Sequence, residues 1–264
     1  MSSQLLVDRN FIPYELDQGL GAKVRIGLVA LAGNQTTEHE FHQLLAFPGV
    51  DFYTARLPDS VNITPETLRE TEQHLAEAVS LILPGIPLDV VAFTCTSASI
   101  VNGEDHVFAR IHEVRPGVRC TTPITAALAA MAALGLRRIA MLTPYVVEIN
   151  SMMRDYIEVR GVSVPVMGSF NNPNDHEVAR ITTSSICRAV RDLTKGVPID
   201  GVFVSCGSLR LAGAIDALER EIGLPVFSSN VAMAWHCLKL GGQSAGRPGS
   251  GRLFATLSPA VALA

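Results

Sequence analysis

The 264-residue chain resembles itself over much of its length, and this repeat restricts its fold more than any other feature. The segment VRIGLVA at Val24 is matched by RRIAMLT at Arg137, at an offset of 113 residues. The segment DVVAFTCTS at Asp89 is matched by DGVFVSCGS at Asp200, at an offset of 111 residues. Because the two pairs of matching segments are separated by nearly the same number of residues, they indicate that one unit of the chain is duplicated.

Short β-branched and apolar runs alternate with amphipathic segments along the chain. This pattern is typical of βαβ units, which place a parallel sheet between layers of helices. Residues 64–83 are predicted to form one long helix, because Thr64 and Pro65 supply an N-cap and a first-turn proline. Residues 175–193 and 209–222 are also predicted helices. The predicted strands are residues 24–31, 51–56, 90–94, 138–142, 162–167, 201–205 and 225–228.

The expected fold class is α/β, with two pseudo-symmetric Rossmann-like lobes, each a parallel sheet flanked by helices. The active site is expected in the cleft between the lobes. Residues 1–122 are predicted to form the N-terminal lobe, with residues 229–264 returning to it, and residues 123–228 to form the C-terminal lobe. Residues 1–22 are predicted to be an irregular arm, and the segment 241–252, rich in Gly, Ser and Pro, a surface loop.

Charge and cysteine content limit the classes of function. The formal net charge of −4 is spread without blocks of one sign, so neither nucleic acid nor a membrane is an expected partner. The five cysteines include no CxxC pair, which argues against a disulfide framework and against a zinc site. The N-terminus lacks the features of a signal peptide, and the longest apolar run is too short to cross a bilayer. We therefore expect a cytoplasmic protein.

Each half presents a cysteine where a predicted strand ends, Cys95 in FTCTS and Cys206 in VSCGS. Ligands of open parallel sheets bind beyond the carboxyl ends of the strands, so both thiols are expected to face one cleft. Both are also expected at helix N-termini, where the helix dipole lowers the pKa of a thiol. A lone cysteine is usually inert packing, but two at matching positions favour a working pair. Small neighbours that can hold a carboxylate are Thr96, Ser97, Gly207 and Ser208.

Further polar candidates follow the first strand of each half. Asn34, Thr36 and Thr37 can donate to a ligand there; alternatively, the segment is only a helix N-cap in which Thr36 or Thr37 holds the first turn. Tyr145 either aims its hydroxyl into the cleft or lies on a half-buried loop. The remaining cysteines are predicted to be packing residues: Cys120, Cys187 and Cys237.

The motifs FTCTS and VSCGSLR, with RIGLVALAGNQTTE, MLTPY and GLPVFSSNVAMAWHCL, resemble those of the cofactor-independent aspartate/glutamate racemase superfamily. The resemblance runs from about Val24 to Leu253. Within the superfamily the chain is most similar to maleate cis–trans isomerases, ectoine-utilisation proteins and arylmalonate decarboxylases. The resemblance implies a homodimer or higher homo-oligomer and an enzyme that needs no cofactor and no metal.

Carried over residue by residue, the resemblance implies that Cys95 is the nucleophile that adds to an alkene carbon of maleate. Cys206 then carries out the proton transfer at the neighbouring carbon. Asn34 falls on a carboxylate-binding asparagine, and Tyr145 on a substrate-binding tyrosine. The carboxylates are expected to be held by Thr96, Ser97, Gly207 and Ser208. The sequence thus predicts a maleate isomerase-like enzyme whose partner is a small carboxylate or dicarboxylate.

Some positions depart from the isomerase pattern. Isomerases carry an asparagine where this chain has Asp175, with Asn174 one residue early, so either Asn174 binds the substrate or the substrate differs. The second motif reads SCGS where isomerases show SCTN. Arylmalonate decarboxylases keep only the second cysteine, so Cys95 argues against that branch. An amino-acid racemase, a related decarboxylase and a small-ligand binding module remain as alternatives, since a two-thiol site also suits racemisation.

Overall fold

The structure, a computed structural model, describes residues 11–58, 60, 64–244 and 249–257. In these residues the strands form two separate four-stranded sheets, and every strand pairing is parallel. The strands are β1 (Val24–Leu31), β2 (Val50–Leu57), β3 (Val90–Phe93), β4 (Arg119–Thr121), β5 (Arg138–Thr143), β6 (Ser163–Ser169), β7 (Gly201–Val204) and β8 (Val226–Ser228). The strand orders are β2-β1-β3-β4 and β6-β5-β7-β8, so the second sheet repeats the first.

The duplicated sequence blocks occupy equivalent places in the two sheets. In the first half the Asp89 carboxylate accepts the backbone N–H of Arg25 at 2.8 Å. In the second half the Asp200 carboxylate accepts the backbone N–H of Arg138, also at 2.8 Å. Each aspartate therefore joins the start of one strand to its neighbour in the same way. The predicted α/β class with two pseudo-symmetric lobes is confirmed.

All the predicted strands are present, with ends that differ by two residues or fewer. The sequence analysis missed β4, which has only three residues and contains Arg119 and Cys120. It pairs with β3 alone, at the edge of its sheet. An edge strand this short has no apolar run by which it could be recognised.

The helices cover both faces of the sheets. They are α1 (Thr37–Leu44), α2 (Pro65–Glu70), α3 (Leu75–Ser80), α4 (Thr96–Asn102), α5 (Glu104–His112), α6 (Pro123–Ala133), α7 (Val147–Glu158), α8 (Asp175–Val178), α9 (Thr183–Leu193), α10 (Ile215–Ile222), α11 (Ser229–Leu240) and α12 (Gly251–Ala255). Two 3₁₀ turns, Thr71–His74 and Ala212–Ala214, precede α3 and α10. Within the described ranges, no helix is long and apolar enough to span a bilayer.

Each of the three predicted helices is shorter or interrupted in the structure. Thr64 caps α2 as predicted, accepting the N–H of Thr67, but the helix tightens to 3₁₀ at Thr71, whose hydroxyl donates to the carbonyl of Leu68 at 2.8 Å. Such side chain–backbone bonds compete with regular helix geometry. The segment 175–193 divides into α8 and α9, because Thr182 begins a new helix by capping it. The segment 209–222 is helical only from Ala212 onward.

The chain beyond β8 forms α11, which packs against α6 and α1 and also contacts β3 and β4. Its Trp235 is fully buried, as are Phe93 of the first sheet and Phe203 of the second. One continuous cluster of buried apolar side chains extends through both halves. The division of the chain at residues 122 and 228 stays a prediction.

A buried carboxylate joins the two halves. Glu40 on α1 is 2% exposed, and one of its oxygens accepts the N–H groups of Leu211 and Ala212, both at 2.7 Å. The other oxygen accepts the side-chain amide of Asn230 at 2.7 Å. Burial raises the pKa of Glu40, whereas the three hydrogen bonds favour its ionised form. The loop after β7 is thereby held against a helix of the other half.

Replacing Glu40 with alanine is expected to lower the free energy of unfolding by about 3 kcal/mol or more, because three buried donors lose their acceptor. Urea denaturation measures the change. The control is Glu38→Ala on the same helix, which removes a partly exposed ion pair with Arg56 and should cost about 1 kcal/mol or less. Equal losses in the two variants would show that Glu40 does not have this linking role.

Candidate active site

A pocket lies at the carboxyl ends of the strands and takes its lining from both halves of the chain. Its volume is about 530 Å³ including its open mouth. The lining residues are Leu31, Asn34, Ser60, Thr67, Leu68, Thr71, Thr94, Cys95, Thr96, Ser97, Tyr145, Asp175, Cys206, Gly207 and Ser208. All the predicted site residues except Asn174 are among them. In the described part of the chain, no three side chains of His, Cys, Asp or Glu come close enough to share a metal ion.

Cys95 lies where β3 passes into α4, and it is the N-cap residue of that helix, as predicted. Its sulfur accepts the backbone N–H of Ala98 at 3.4 Å. The hydroxyl of Ser97 lies 3.6 Å from the same sulfur. Both neighbours are groups that stabilise negative charge on sulfur, as a nucleophile requires.

Cys206 has different surroundings, and the prediction of a helix N-terminus at this residue is wrong. After β7 the chain makes a tight turn in which Cys206 has a φ of 126°, and helical structure begins only at Ala212. A positive φ of this kind costs a non-glycine residue about 1–3 kcal/mol. The turn is held by the N–H of Cys206, which donates to the Ser229 hydroxyl at 3.1 Å. The N–H of Ser208 donates to the Cys206 sulfur at 3.4 Å.

The surroundings of Cys206 favour its neutral thiol. Burial and the nearby charge of Asp175 raise its pKa to about 12, although hydrogen bonds from Tyr145 and from the N–H of Ser208 act in the opposite direction. Cys206 is therefore a neutral thiol at neutral pH, not the thiolate that a helix N-terminus would favour. Tyr145 lines the pocket and forms a side-chain hydrogen bond with Cys206. It lies on a loop, but at 3% exposure it is buried and not half-buried.

Asn34 caps helix α1 and also lines the pocket. Its Oδ1 accepts the N–H groups of Thr36 at 3.1 Å and Thr37 at 2.9 Å, so this oxygen caps α1. The Nδ2 amide is the part of the side chain left to donate to a ligand. Thr36 occupies the N-cap position of α1, as the alternative predicted, but its side chain makes no capping bond. The Thr36 hydroxyl donates instead to the carbonyl of Gly207, and the Thr37 hydroxyl donates to Oδ1 of Asn230.

The small residues beside the cysteines line the pocket, but all three of their hydroxyls have protein partners. The Ser97 hydroxyl lies beside the Cys95 sulfur, and the Thr96 hydroxyl lies 3.1 Å from that of Ser229 at the start of α11. The Ser208 hydroxyl donates to Asp175 at 2.8 Å. At Gly207 a Cβ atom would lie only 3.1 Å from the Thr37 hydroxyl, so the close approach of the two halves favours glycine there.

The sequence left open whether Asn174 or Asp175 faces the site, and Asn174 was the predicted ligand. In the structure Oδ1 of Asn174 caps α8 by accepting the N–H of Glu177 at 3.2 Å, and the residue does not line the pocket. Asp175 lines it instead. The structure thus corrects the placement of Asn174, because the capping bond holds its side chain at the start of the helix.

The sequence analysis missed three residues at or behind the pocket. Thr94 is 2% exposed, lines the pocket and has no hydrogen-bond partner for its hydroxyl among the described residues. Glu40 and Asn230 fix the turn around Gly207 from behind. Glu40 could have been noticed, since it falls in the buried i, i+3, i+4, i+7 series of α1 together with apolar residues.

The chain is similar to known proteins in both sequence and fold. The family described as "Arylmalonate decarboxylase" matches residues 42–254. The arylmalonate decarboxylase of Bordetella bronchiseptica is 34% identical over 169 residues, which cover 62% of this chain and 70% of that protein. A maleate isomerase of Nocardia farcinica is 27% identical over 244 residues, which cover 87% of this chain and 95% of that protein.

The solved structure of Nocardia farcinica maleate cis–trans isomerase bound to TRIS has a TM-score of 0.80 and 25% identity. The match covers 88% of this chain and 97% of that chain. The predicted likeness to maleate isomerases and arylmalonate decarboxylases is confirmed. With the family match extending over most of its length, the chain belongs to the arylmalonate decarboxylase family.

Proposed function

We propose that the protein is a cofactor-independent isomerase of a small carboxylic acid, in which Cys95 and Cys206 act on the same substrate. The observation that carries this proposal is that both cysteines, one from each half, line a single pocket. The relatives named above are maleate isomerases and an arylmalonate decarboxylase, which supports an enzyme. The different surroundings of the two thiols support different roles for them.

In the first candidate reaction, cis–trans isomerisation of maleate, the Cys95 thiolate adds to one alkene carbon. The electron pair of the double bond moves to the neighbouring carbon, which takes the proton of the Cys206 thiol. After rotation about the new single bond, the Cys206 thiolate removes that proton again. The double bond re-forms, the carbon–sulfur bond breaks, and fumarate leaves with Cys95 restored as a thiolate. Tyr145 and Asn34 would orient the acid during these steps.

A second candidate is racemisation, which the position of Asp175 in the pocket favours because this reaction needs no second substrate carboxylate. Here the Cys95 thiolate removes the proton at the carbon next to the carboxylate, and the Cys206 thiol delivers its own proton to the opposite face. A decarboxylase would use the same proton donor, since loss of CO₂ from a malonate leaves a carbanion that must be protonated.

Proton NMR in D₂O distinguishes these reactions in one experiment. Appearance of fumarate from maleate supports the first candidate, and exchange of the α-proton of an amino or hydroxy acid supports the second. Conversion of a malonate to the monoacid identifies a decarboxylase. If none of these acids reacts and none slows alkylation of Cys95 by iodoacetamide, the proposed enzyme is wrong and a binding module of another specificity takes its place.

Serine in place of Cys95 is expected to reduce turnover at least about a thousandfold, because a hydroxyl at neutral pH is a far weaker nucleophile than a thiolate. The assay is turnover of whichever acid reacts in the NMR experiment. Cys120→Ser is the matched control, since Cys120 lies on edge strand β4 outside the pocket lining and burial raises its pKa to about 12. Similar losses in both variants would argue against the role of Cys95.

The pH profile of kcat/KM is expected to show no alkaline limb from Cys206 between about pH 6 and 9. The acid form of Cys206 is the active one, and its raised pKa of about 12 keeps it protonated throughout that range. Removing the charge of Asp175 lowers the pKa of Cys206, so Asp175→Asn should move the alkaline limb to lower pH. The limb can be checked by the ultraviolet absorbance of the thiolate in a Cys95→Ser background. An unchanged titration would refute the electrostatic link.

Thr94→Val is expected to raise the free energy of unfolding by about 1 kcal/mol, because it removes a buried hydroxyl that has no partner among the described residues. The same change should weaken acid binding, since we propose that this hydroxyl donates to the substrate. The control is Thr121→Val, which breaks a hydroxyl bond to His236 of 2.7 Å and should be destabilising without an effect on binding. Urea denaturation and protection of Cys95 from alkylation measure the two effects. A destabilised Thr94→Val variant that binds acids normally would contradict the assignment.

A further inference from the structure

The charge of the pocket restricts which acid it can hold. Among its lining residues that the structure describes, Asp175 has the only carboxylate, and none is lysine, arginine or histidine. A bound carboxylate must therefore be held by neutral donors. A second carboxylate on the ligand would meet a pocket that is already negative.

Asp175 lies close to the reacting groups. Its Oδ1 accepts the Ser208 hydroxyl at 2.8 Å, and Ser208 is two residues from Cys206. Its charge contributes, after burial, to the raised pKa of Cys206, and it contributes to the raised pKa of Tyr145 after burial and the effects of the two cysteines. The Ser208 proton is engaged in this bond, so the Ser208 hydroxyl is not available to stabilise a second ligand carboxylate. Ser208 and Asp175 together present an acceptor to the pocket.

An acceptor of this kind selects ligands by charge. A carboxylate near Asp175 is repelled, whereas an ammonium or hydroxyl group forms a charge-assisted hydrogen bond with it. Asp175 is partly buried, so solvent screens its charge less than that of a fully exposed carboxylate. In terms of charge, the best ligand has one carboxylate at one end and a hydrogen-bond donor at the end that faces Asp175.

We propose that the substrate is a monocarboxylate with an ammonium or hydroxyl substituent that binds Asp175, and not a dicarboxylate dianion. This inference rests on the proposed function, because it concerns the acid that the two cysteines act on. It selects the second candidate reaction over maleate isomerisation. Asp175 is a specificity-determining residue in this scheme, and the cysteines perform the chemistry.

The test uses four three-carbon acids. Propionate, lactate and alanine differ only in the substituent on the carbon next to the carboxylate, and in malonate a second carboxylate replaces the methyl group of propionate. Each is titrated as a protectant of Cys95 against alkylation by iodoacetamide, measured by mass spectrometry of the labelled peptide. Alanine and lactate should protect at concentrations about tenfold lower than propionate, and malonate should protect least. If alanine protects better than lactate, the donor is an ammonium group, and the reverse order identifies a hydroxyl.

Asp175→Asn should reverse the order of alanine and malonate, because the amide can donate to a carboxylate and no longer attracts a cation. Glu177→Gln is the matched control. It removes one negative charge from the same helix, but Glu177 bonds to Asn172 and does not line the pocket, so the order should be unchanged. Ser208→Ala keeps the charge of Asp175 and should also keep the order.

Malonate protecting the unchanged protein better than alanine and lactate would overturn the inference, as would an Asp175→Asn variant with the original order. If none of the four acids slows alkylation of Cys95, the proposed function itself fails. Protection without the expected order leaves the proposed function standing and removes only the assignment of Asp175.

Discussion

The arrangement of the pocket depends on the buried carboxylate of Glu40. It accepts two hydrogen bonds from the loop that follows β7, in the other half of the chain, and a third from Asn230 on α11. Asn230, held by the same carboxylate, in turn donates to the carbonyl of Gly207 at 2.8 Å. Gly207 directly follows Cys206, so the position of the second thiol is set by an acidic residue in the opposite half. Burying a carboxylate is costly unless its oxygens accept hydrogen bonds. Both oxygens of Glu40 accept hydrogen bonds here.

Duplication supplies two equivalent cysteines, but the structure gives them different chemical properties. Cys95 accepts a helix N-terminal N–H, an arrangement that stabilises a thiolate. Cys206 lies in a strained turn beside Asp175, where the neutral thiol is favoured. The different roles proposed for the two cysteines rest on this difference in their surroundings.

The strands could be predicted because buried parallel strands consist of runs of apolar residues. The internal repeat was sufficient to predict a cysteine at a strand end in each half. The helices were predicted less well, since Thr71 and Thr182 end or restart them through side-chain bonds that periodicity does not reveal. Glu40 escaped notice because its partners lie about 170 residues away in sequence. The sequence alone could not show whether Asn174 or Asp175 faces the pocket, because a shift of one residue changes which side chain caps the helix.

Polar hydrogen bonds join the two halves beside the pocket, including Thr36 to Gly207 and Leu211 to Glu40. Because hydrogen bonds are directional, they fix one relative position of the two halves, which a purely apolar contact would define less strictly. Grafting the VSCGS segment onto a different scaffold would thus transfer the Cys206 thiol without the residues that fix its position. The portable unit is the segment together with the acidic and amide residues that hold it, and these come from three separate stretches of the chain.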